Sequence, residues 1–327
     1  MIRIGVIGTG SMGRNHARVC ADTKPVKLTG IADSDTALSK KIAKQYDTTP
    51  YSSYKDLISS IDAAIIATPT ITHYDIAKEL LHQGKHVLVE KPVCDSVGHA
   101  QELVKLAEKQ GLVFAVGHIE RHNPVVNFLK EGINEGKFGD LLTLTSKRVS
   151  NFPGRIRDVG VILDFGVHDI DVMRYLNGEI TKVYTKAGTF NKNISHEDHA
   201  TIMVTFENNT CGVIEVNWLT PLKIRKLFLT CSKHCVEADY INQQVTLSSS
   251  SFETIDEGNL YRVPIQYNVD HITLQKREPL RNEIEDFVEA IQHQKQPLVT
   301  GFDGMQTLKI AEAALQSYTN GKEVKIT

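Results

Sequence analysis

Asp164, His168, Asp171 and Tyr175 stand at steps of four, three and four residues, a spacing that puts them on one face of a helix. Leu163, Val167 and Ile170 fall on one flank of that face, and Phe165, Val172 and Leu176 on the other. An ordinary surface helix carries one apolar stripe on a polar cylinder, and the stretch 160–176 inverts that pattern. Such a helix is buried, and buried polar groups need partners or a chemical task. A histidine one turn from a carboxylate is equipped to take a proton from a hydroxyl, because imidazole titrates near pH 6.5. The alternative is a core pair that satisfies its own hydrogen bonds.

The elements ahead of that helix decide what it works on. Residues 2–7 read as a strand buried on both faces, Gly8-Thr9-Gly10-Ser11-Met12-Gly13 follows, and residues 14–21 read as a helix. Strand, Gly-x-Gly-x-x-Gly and helix together form the dinucleotide fingerprint. Gly8 makes the turn, Gly10 admits the pyrophosphate and Gly13 lets helix and strand approach. A second strand, 26–32, ends in Asp33, twenty residues after Gly13, where a carboxylate accepts from the ribose 2′-hydroxyl and repels a 2′-phosphate. Asp33-Ser34-Asp35 has no adjacent arginine, so NAD is favoured over NADP. The competing role for Asp33 is to cap the next helix. Strands at 61–68, 86–90 and 112–117 alternate with helices at 36–46, 53–60, 73–83 and 96–110, the grammar of a doubly wound parallel sheet. Ligands bind at the carboxyl ends of such strands, where Gly8, Asp33, Thr68, Lys91 and His118 all stand. Thr68, Pro69, His73, Glu90 and Lys91 therefore join Gly8–Gly13 and Asp33 as expected cofactor contacts. Lys91 is placed to hydrogen-bond a reacting oxygen and stabilise a developing alkoxide; a lysine base of lowered pKa is the other assignment.

After Asn123-Pro124 the pattern changes, which puts a domain boundary between 122 and 123. A helix at 125–134 and a strand at 141–149 precede the inverted helix. Strands at 182–187, 200–206, 211–218, 226–230, 236–239 and 244–247 follow, then helices at 279–293 and 302–320 and a strand at 324–326. The fold class expected is α/β, a Rossmann domain (1–122) followed by an α+β domain (123–327) with a large, mostly antiparallel sheet open on one face. The last helix is allowed to pack back on the first domain. Arg155 and Arg157, in a Pro-Gly loop before the inverted helix, suit the phosphates of a nucleotide sugar, or else make surface ion pairs. Glu120 and Arg121 read as substrate contacts or an interdomain ion pair. His196-Glu197-Asp198-His199 has metal-like composition but precedes a strand, so it reads as a loop or site rim, and no metal is expected. Trp218 reads as packing.

With 327 residues, 41% hydrophobic content and a formal net charge of −2, the chain carries no electrostatic footprint for nucleic acid or a membrane surface. No apolar run approaches a membrane span, and the amino terminus opens directly on a strand. Five unpaired-looking cysteines suit a reducing compartment, and a cytoplasmic location is expected.

Gly8–Gly13, Glu90-Lys91-Pro92 and Asp164-x-x-x-His168-Asp169-Ile170-Asp171 together resemble the glucose–fructose oxidoreductase/inositol dehydrogenase family of NAD(P)-dependent enzymes, and the likeness spans the chain. The resemblance implies oxidation of a secondary alcohol of a sugar or cyclitol, with Lys91, Asp164 and His168 as the catalytic set. It also implies a homodimer or homotetramer built on the open sheet face. Residues 116–124 and 152–160 look like the branch that oxidises the 3-hydroxyl of UDP-N-acetylglucosamine to a ketone, which a partner aminotransferase can use. His122 and Gly154 depart from that branch, where Phe and Pro are common. Lys91, Glu120, Arg121, Arg155, Arg157, Asp164 and His168 are then the expected substrate contacts. The rival readings are a dehydrogenase of free sugars or cyclitols and a non-catalytic NAD sensor.

Overall fold

The structure, a computed structural model, describes residues 1–152, 159–252 and 265–326. The chain divides into two compact units, 1–122 with 277–309, and 123–276 with 310–327.

In the first unit, β1 (Ile2–Ile7), α1 (Ser11–Asp22), β2 (Val26–Ala32), α2 (Thr36–Gln45), β3 (Thr49–Tyr51) and α3 (Tyr54–Leu57) lead to β4 (Ala63–Ile66). There follow α4 (His73–His82), β5 (His86–Glu90), α5 (Val97–Gln110) and β6 (Phe114–Gly117). All six strands are parallel, in the order β3-β2-β1-β4-β5-β6. The chain reverses direction across the sheet between β1 and β4, so the carboxyl ends of those strands form the expected ligand crevice. Ile4, Val6, Ile65 and Leu88 have almost no solvent exposure, and burying each such side chain contributes about 1.5–3 kcal/mol.

The second unit contains α6 (Pro124–Asn134), β7 (Leu141–Asn151), a π-helical turn (Ile162–Gly166) and α7 (Val167–Asn177). The strands β8 (Ile180–Gly188), β9 (His199–Phe206), β10 (Cys211–Asn217), β11 (Leu219–Cys231), β12 (Cys235–Asp239), β13 (Gln244–Phe252) and β14 (Ile265–Thr273) complete most of its sheet. The order is β14-β13-β12-β11-β7-β10-β9-β8-β15, with β15 at Val324–Lys325, and every pairing is antiparallel except β10 with β7. On β9, Ala200, Ile202, Val204 and Phe206 are buried while His199, Thr201 and Met203 are exposed. One face therefore meets the helices, and the other carries exposed Leu142, Met203, Leu222 and Tyr267.

Two helices end the chain, α8 (Pro279–His293) and α9 (Gly301–Asn320). Residues 277–309, which follow the second sheet in sequence, group with the first unit. Arg18 pairs with Glu278 and Arg281 with Asp22, Leu280, Ile284 and Phe287 enter the core around Ile4 and Ala17, and Thr300 bridges to Ala115 beside β6. The apolar stripe of α8 needs a partner, and its position after the second sheet in sequence does not say which. Strands β3 and β14 were also unexpected, and β11 is much longer than 226–230. No helix among the described residues is long and apolar enough to cross a membrane.

Candidate active site

The glycine loop is built by contacts that exclude side chains. Gly8 has φ +92°, and a Cβ there would lie 2.5 Å from the Ala67 carbonyl oxygen; a Cβ on Gly13 would lie 1.9 Å from the Gly8 carbonyl oxygen. At Gly10 the added atom would meet nothing, so the space above the loop is open. Helix α1 starts there with no side-chain cap and no acidic residue in its first turn. Its leading N–H groups and positive dipole end are therefore available to an anion, which fits a pyrophosphate. Asp33 closes one side. Its Oδ2 accepts from the Thr9 N–H at 2.6 Å and the Thr9 hydroxyl at 2.5 Å, and its Oδ1 accepts from the Asp35 N–H at 2.8 Å. Asp35 is the residue that caps α2, accepting from Ala37 and Leu38, so the capping role considered for Asp33 falls to its neighbour.

Around the ends of β4 and β5, the polar groups are tied to one another. The Thr72 hydroxyl donates to Thr68 Oγ1 at 2.7 Å and the Pro69 carbonyl at 2.8 Å. His73 Nδ1 and Nε2 each lie 2.9 Å from a carbonyl oxygen, of Pro92 and Thr68 respectively. Burial lowers the His73 pKa more than these contacts raise it, and the ring lies between the two loops. Glu90 Oε1 lies 2.7 Å from His16 Nε2 on α1. Burial drives the Glu90 pKa up, but the His16 bond, with the charges of His16, Lys91 and His73, outweighs it and the net shift is downward. Lys91 thus follows a buried carboxylate and leads into a cis peptide bond with Pro92. From α8, buried Glu283 feels the charge of Glu90 and is held well above the ordinary carboxyl range, chiefly by burial.

Glu120 and Arg121 are both buried in a 3₁₀ turn at Ile119–His122. Arg121 donates to Asp303 at 3.0 Å and to the Leu298 carbonyl at 3.3 Å. Arg121 thus makes an ion pair, with a partner that groups with the first unit. Residues 299–300 fold against β6, and the first turn of α9 supplies the carboxylate from a sequence distance that spacing could not reveal.

In the second unit, Asp164 lies within the π turn and His168 in the first turn of α7. A π turn departs from regular α-helical spacing, so the four-residue step between them is not a plain α-helical one. Asp164 and Asp171 are buried while His168 and Tyr175 keep partial exposure, which leaves the polar stripe open at the histidine. Asp169, assigned no task from sequence, accepts from Arg148 Nε at 2.7 Å, and both side chains are buried. That pair fixes the residue after His168 to β7. Arg174 is held by Glu179. Phe152 and Phe165 meet Trp218 edge to face at 5.5 and 6.2 Å, so the tryptophan is packing against the π turn. Arg155 and Arg157 lie outside the described residues. Of the 196–199 segment, Asp198 accepts from the Phe190 and Asn191 N–H groups and from His199, and Glu197 accepts from the Ile162 N–H. Residues 196–198 form a loop leading into β9, and its two acids organise backbone.

A family model described as "Oxidoreductase family, NAD-binding Rossmann fold" matches residues 2–118, and the GFO/IDH/MocA C-terminal domain matches 126–237. The UDP-N-acetylglucosamine 3-dehydrogenase of Acidithiobacillus ferrooxidans is 28% identical, over 95% of both chains. Its solved structure superposes with a TM-score of 0.85 at 27% identity, covering 97% of each chain. The inositol 2-dehydrogenase of Rhizobium meliloti is 26% identical over 99% of both. With an NAD-binding Rossmann unit ahead of that C-terminal domain, the chain belongs to the GFO/IDH/MocA family of oxidoreductases.

Proposed function

We propose that this enzyme oxidises the 3-hydroxyl of a nucleotide sugar, UDP-N-acetylglucosamine, to a ketone, with NAD preferred over NADP. The observation that carries the reading is His168, partly exposed on a helix whose neighbouring polar residues Asp164, Asp169 and Asp171 are buried. A partly exposed imidazole among buried carboxylates suits a base that must reach a substrate. NAD, when bound, accepts the hydride from the carbinol carbon. His168 takes the hydroxyl proton, so the alcohol loses a hydride and a proton and the C–O bond becomes a carbonyl. Asp164 orients the imidazole or a neighbouring sugar hydroxyl. Lys91 donates a hydrogen bond to the reacting oxygen and stabilises its developing negative charge. Arg155 and Arg157 are assigned to the diphosphate on their residue type, because guanidinium groups bind phosphate oxygens bidentately. The Asp33 carboxylate supports the choice of NAD, by accepting from a ribose 2′-hydroxyl and repelling a 2′-phosphate. The exposed face of the large sheet is assigned to assembly into a dimer or tetramer, and the ketone is a substrate for an aminotransferase.

Full-length likeness to both a UDP-N-acetylglucosamine 3-dehydrogenase and an inositol 2-dehydrogenase supports oxidation of a sugar or cyclitol hydroxyl, and the choice of the nucleotide sugar rests on the sequence at 116–124 and 152–160. Formation of NADH with UDP-N-acetylglucosamine, myo-inositol and glucose tests it. The reading predicts turnover of the nucleotide sugar, and turnover of the free compounds alone overturns it.

A further inference from the structure

Glu197 is a buried carboxylate 35 residues beyond Ile162 in sequence, yet it is bonded to the first residue of the π turn and to the residue before it. Its Oε1 accepts the Ile162 N–H at 3.1 Å, and its carbonyl accepts the Val161 N–H at 2.9 Å. The carboxylate lies so close against Gly160 that a Cβ there would come within 2.1 Å of its carbon and both oxygens. We propose that Glu197 is a positioning residue for the oxidation, clamping the start of the π turn so that Asp164 and His168 are held in working geometry.

The first N–H groups of a helix have no partner within it, and Ile162 is the first residue of this one. No side chain of the turn's own N-cap residue supplies a bond, so a carboxylate from a distant loop does. A negative charge at this end is also favoured by the helix dipole. The clamp has a firm base. Asp198 binds the Phe190 and Asn191 N–H groups through its side chain, and its carbonyl accepts the Trp218 N–H at 2.9 Å. From Ile162 the backbone runs without interruption through Asp164 to His168. Burial raises the Glu197 pKa, partly offset by the Ile162 bond, so an acid is kept here at a cost that an apolar residue would not incur. Gly160 is required for the same reason, since any side chain would occupy the carboxylate's place.

The proposal rests on the assignment of His168 as base, and its test uses Glu197→Ala, Glu197→Gln, Gly160→Ala and the double variant. Gln retains an acceptor oxygen, so Glu197→Gln keeps kcat within about threefold of wild type, whereas Glu197→Ala lowers kcat about 10- to 100-fold with KM for the sugar little changed. Gly160→Ala produces the same loss, and the double variant is no worse than either single one, because both remove one contact. Dissociation constants for NADH stay at the wild-type value in all four, which also verifies folding of the first unit. Amide hydrogen exchange of residues 161–168 supplies a readout independent of any substrate, and it rises about tenfold or more in Glu197→Ala but not in Glu197→Gln. Wild-type kcat in Glu197→Ala, equal losses in Ala and Gln, or additive losses in the double variant would each overturn the proposal. If the nucleotide sugar is not turned over, the exchange measurement still decides it, with unchanged protection in Glu197→Ala as the refuting result.

Discussion

Replacing Asp33 with alanine separates the two tasks its carboxylate performs at the end of β2. A carboxylate offers about four acceptor positions. Thr9 uses two on Oδ2 and the Asp35 N–H uses one on Oδ1, which leaves one for a ribose hydroxyl. A hydrogen bond to a charged group contributes about 1.5–3 kcal/mol, so losing it weakens NAD binding roughly 10- to 150-fold at about 1.4 kcal/mol per decade. The 2′-phosphate of NADP faces the opposite change. Two unit charges about 5 Å apart at an effective dielectric of 20 repel by on the order of 3 kcal/mol, and the alanine removes that repulsion. The ratio of kcat/KM for NAD over NADP should therefore fall by at least about 100-fold. Asp33→Asn keeps an acceptor for Thr9 while removing the charge, so it lowers the same ratio and leaves the melting temperature close to wild type. Dissociation constants from reduced-cofactor fluorescence, together with the kcat/KM ratio, measure both effects. A ratio unchanged within about threefold in Asp33→Ala would show that the ribose is read elsewhere.

Three further outcomes follow from the same contacts. His168→Asn should bind NADH normally and lose about a hundredfold or more in turnover, measured by stopped-time NADH formation; near-normal turnover removes His168 as the base. Glu283→Gln tests the buried acid of α8, whose two carboxylate oxygens have no hydrogen-bond partner among the described residues. Because its pKa is raised on folding, the folded chain holds a proton that the unfolded chain releases above about pH 4.5, and stability falls as pH rises beyond that value. The gain in urea midpoint from Glu283→Gln should accordingly be larger at pH 8 than at pH 5, and equal gains would contradict it. Asp303 behaves in the opposite sense. Burial raises its pKa, but the Arg121 charge and the Thr300 bonds outweigh this, so its stabilising share is present above about pH 4 and lost as pH falls through the lowered folded value. Asp303→Asn should cost about 3 kcal/mol at pH 7 and distinctly less at pH 3 by chemical denaturation, whereas a pH-independent cost would refute the pairing.

The first unit was legible because local signals carry it. Continuous Ile and Val runs mark parallel strands, and the glycine loop carries its function in three residues whose Cβ positions are blocked or open. The alternation of strand and helix stops at 122–123, a change visible in the sequence itself. The path of α8 was not, since an amphipathic stripe specifies that a partner exists and leaves its identity to the tertiary fold. Strand β3 has three residues, one of them Pro50, too few for a period to show. At the site, the types and spacing of Asp164 and His168 were visible, but the π turn and the Glu197 bond to its first residue, across 35 residues, were not. The pairs Glu90–His16, Arg121–Asp303 and Arg148–Asp169 were hidden for the same reason. Each joins residues that only the folded chain brings into contact, and each gives a structural task to a charged group that sequence either left idle or assigned to a ligand.

The central claim is that the hydride leaves C3 of the sugar while its hydroxyl proton leaves by His168. UDP-N-acetylglucosamine carrying deuterium at C3, incubated with the enzyme and NAD, tests it directly by mass spectrometry of the reduced cofactor. The account predicts that the reduced nicotinamide carries the deuterium and that turnover is slower than with the unlabelled sugar. Unlabelled NADH formed at the same rate would contradict it.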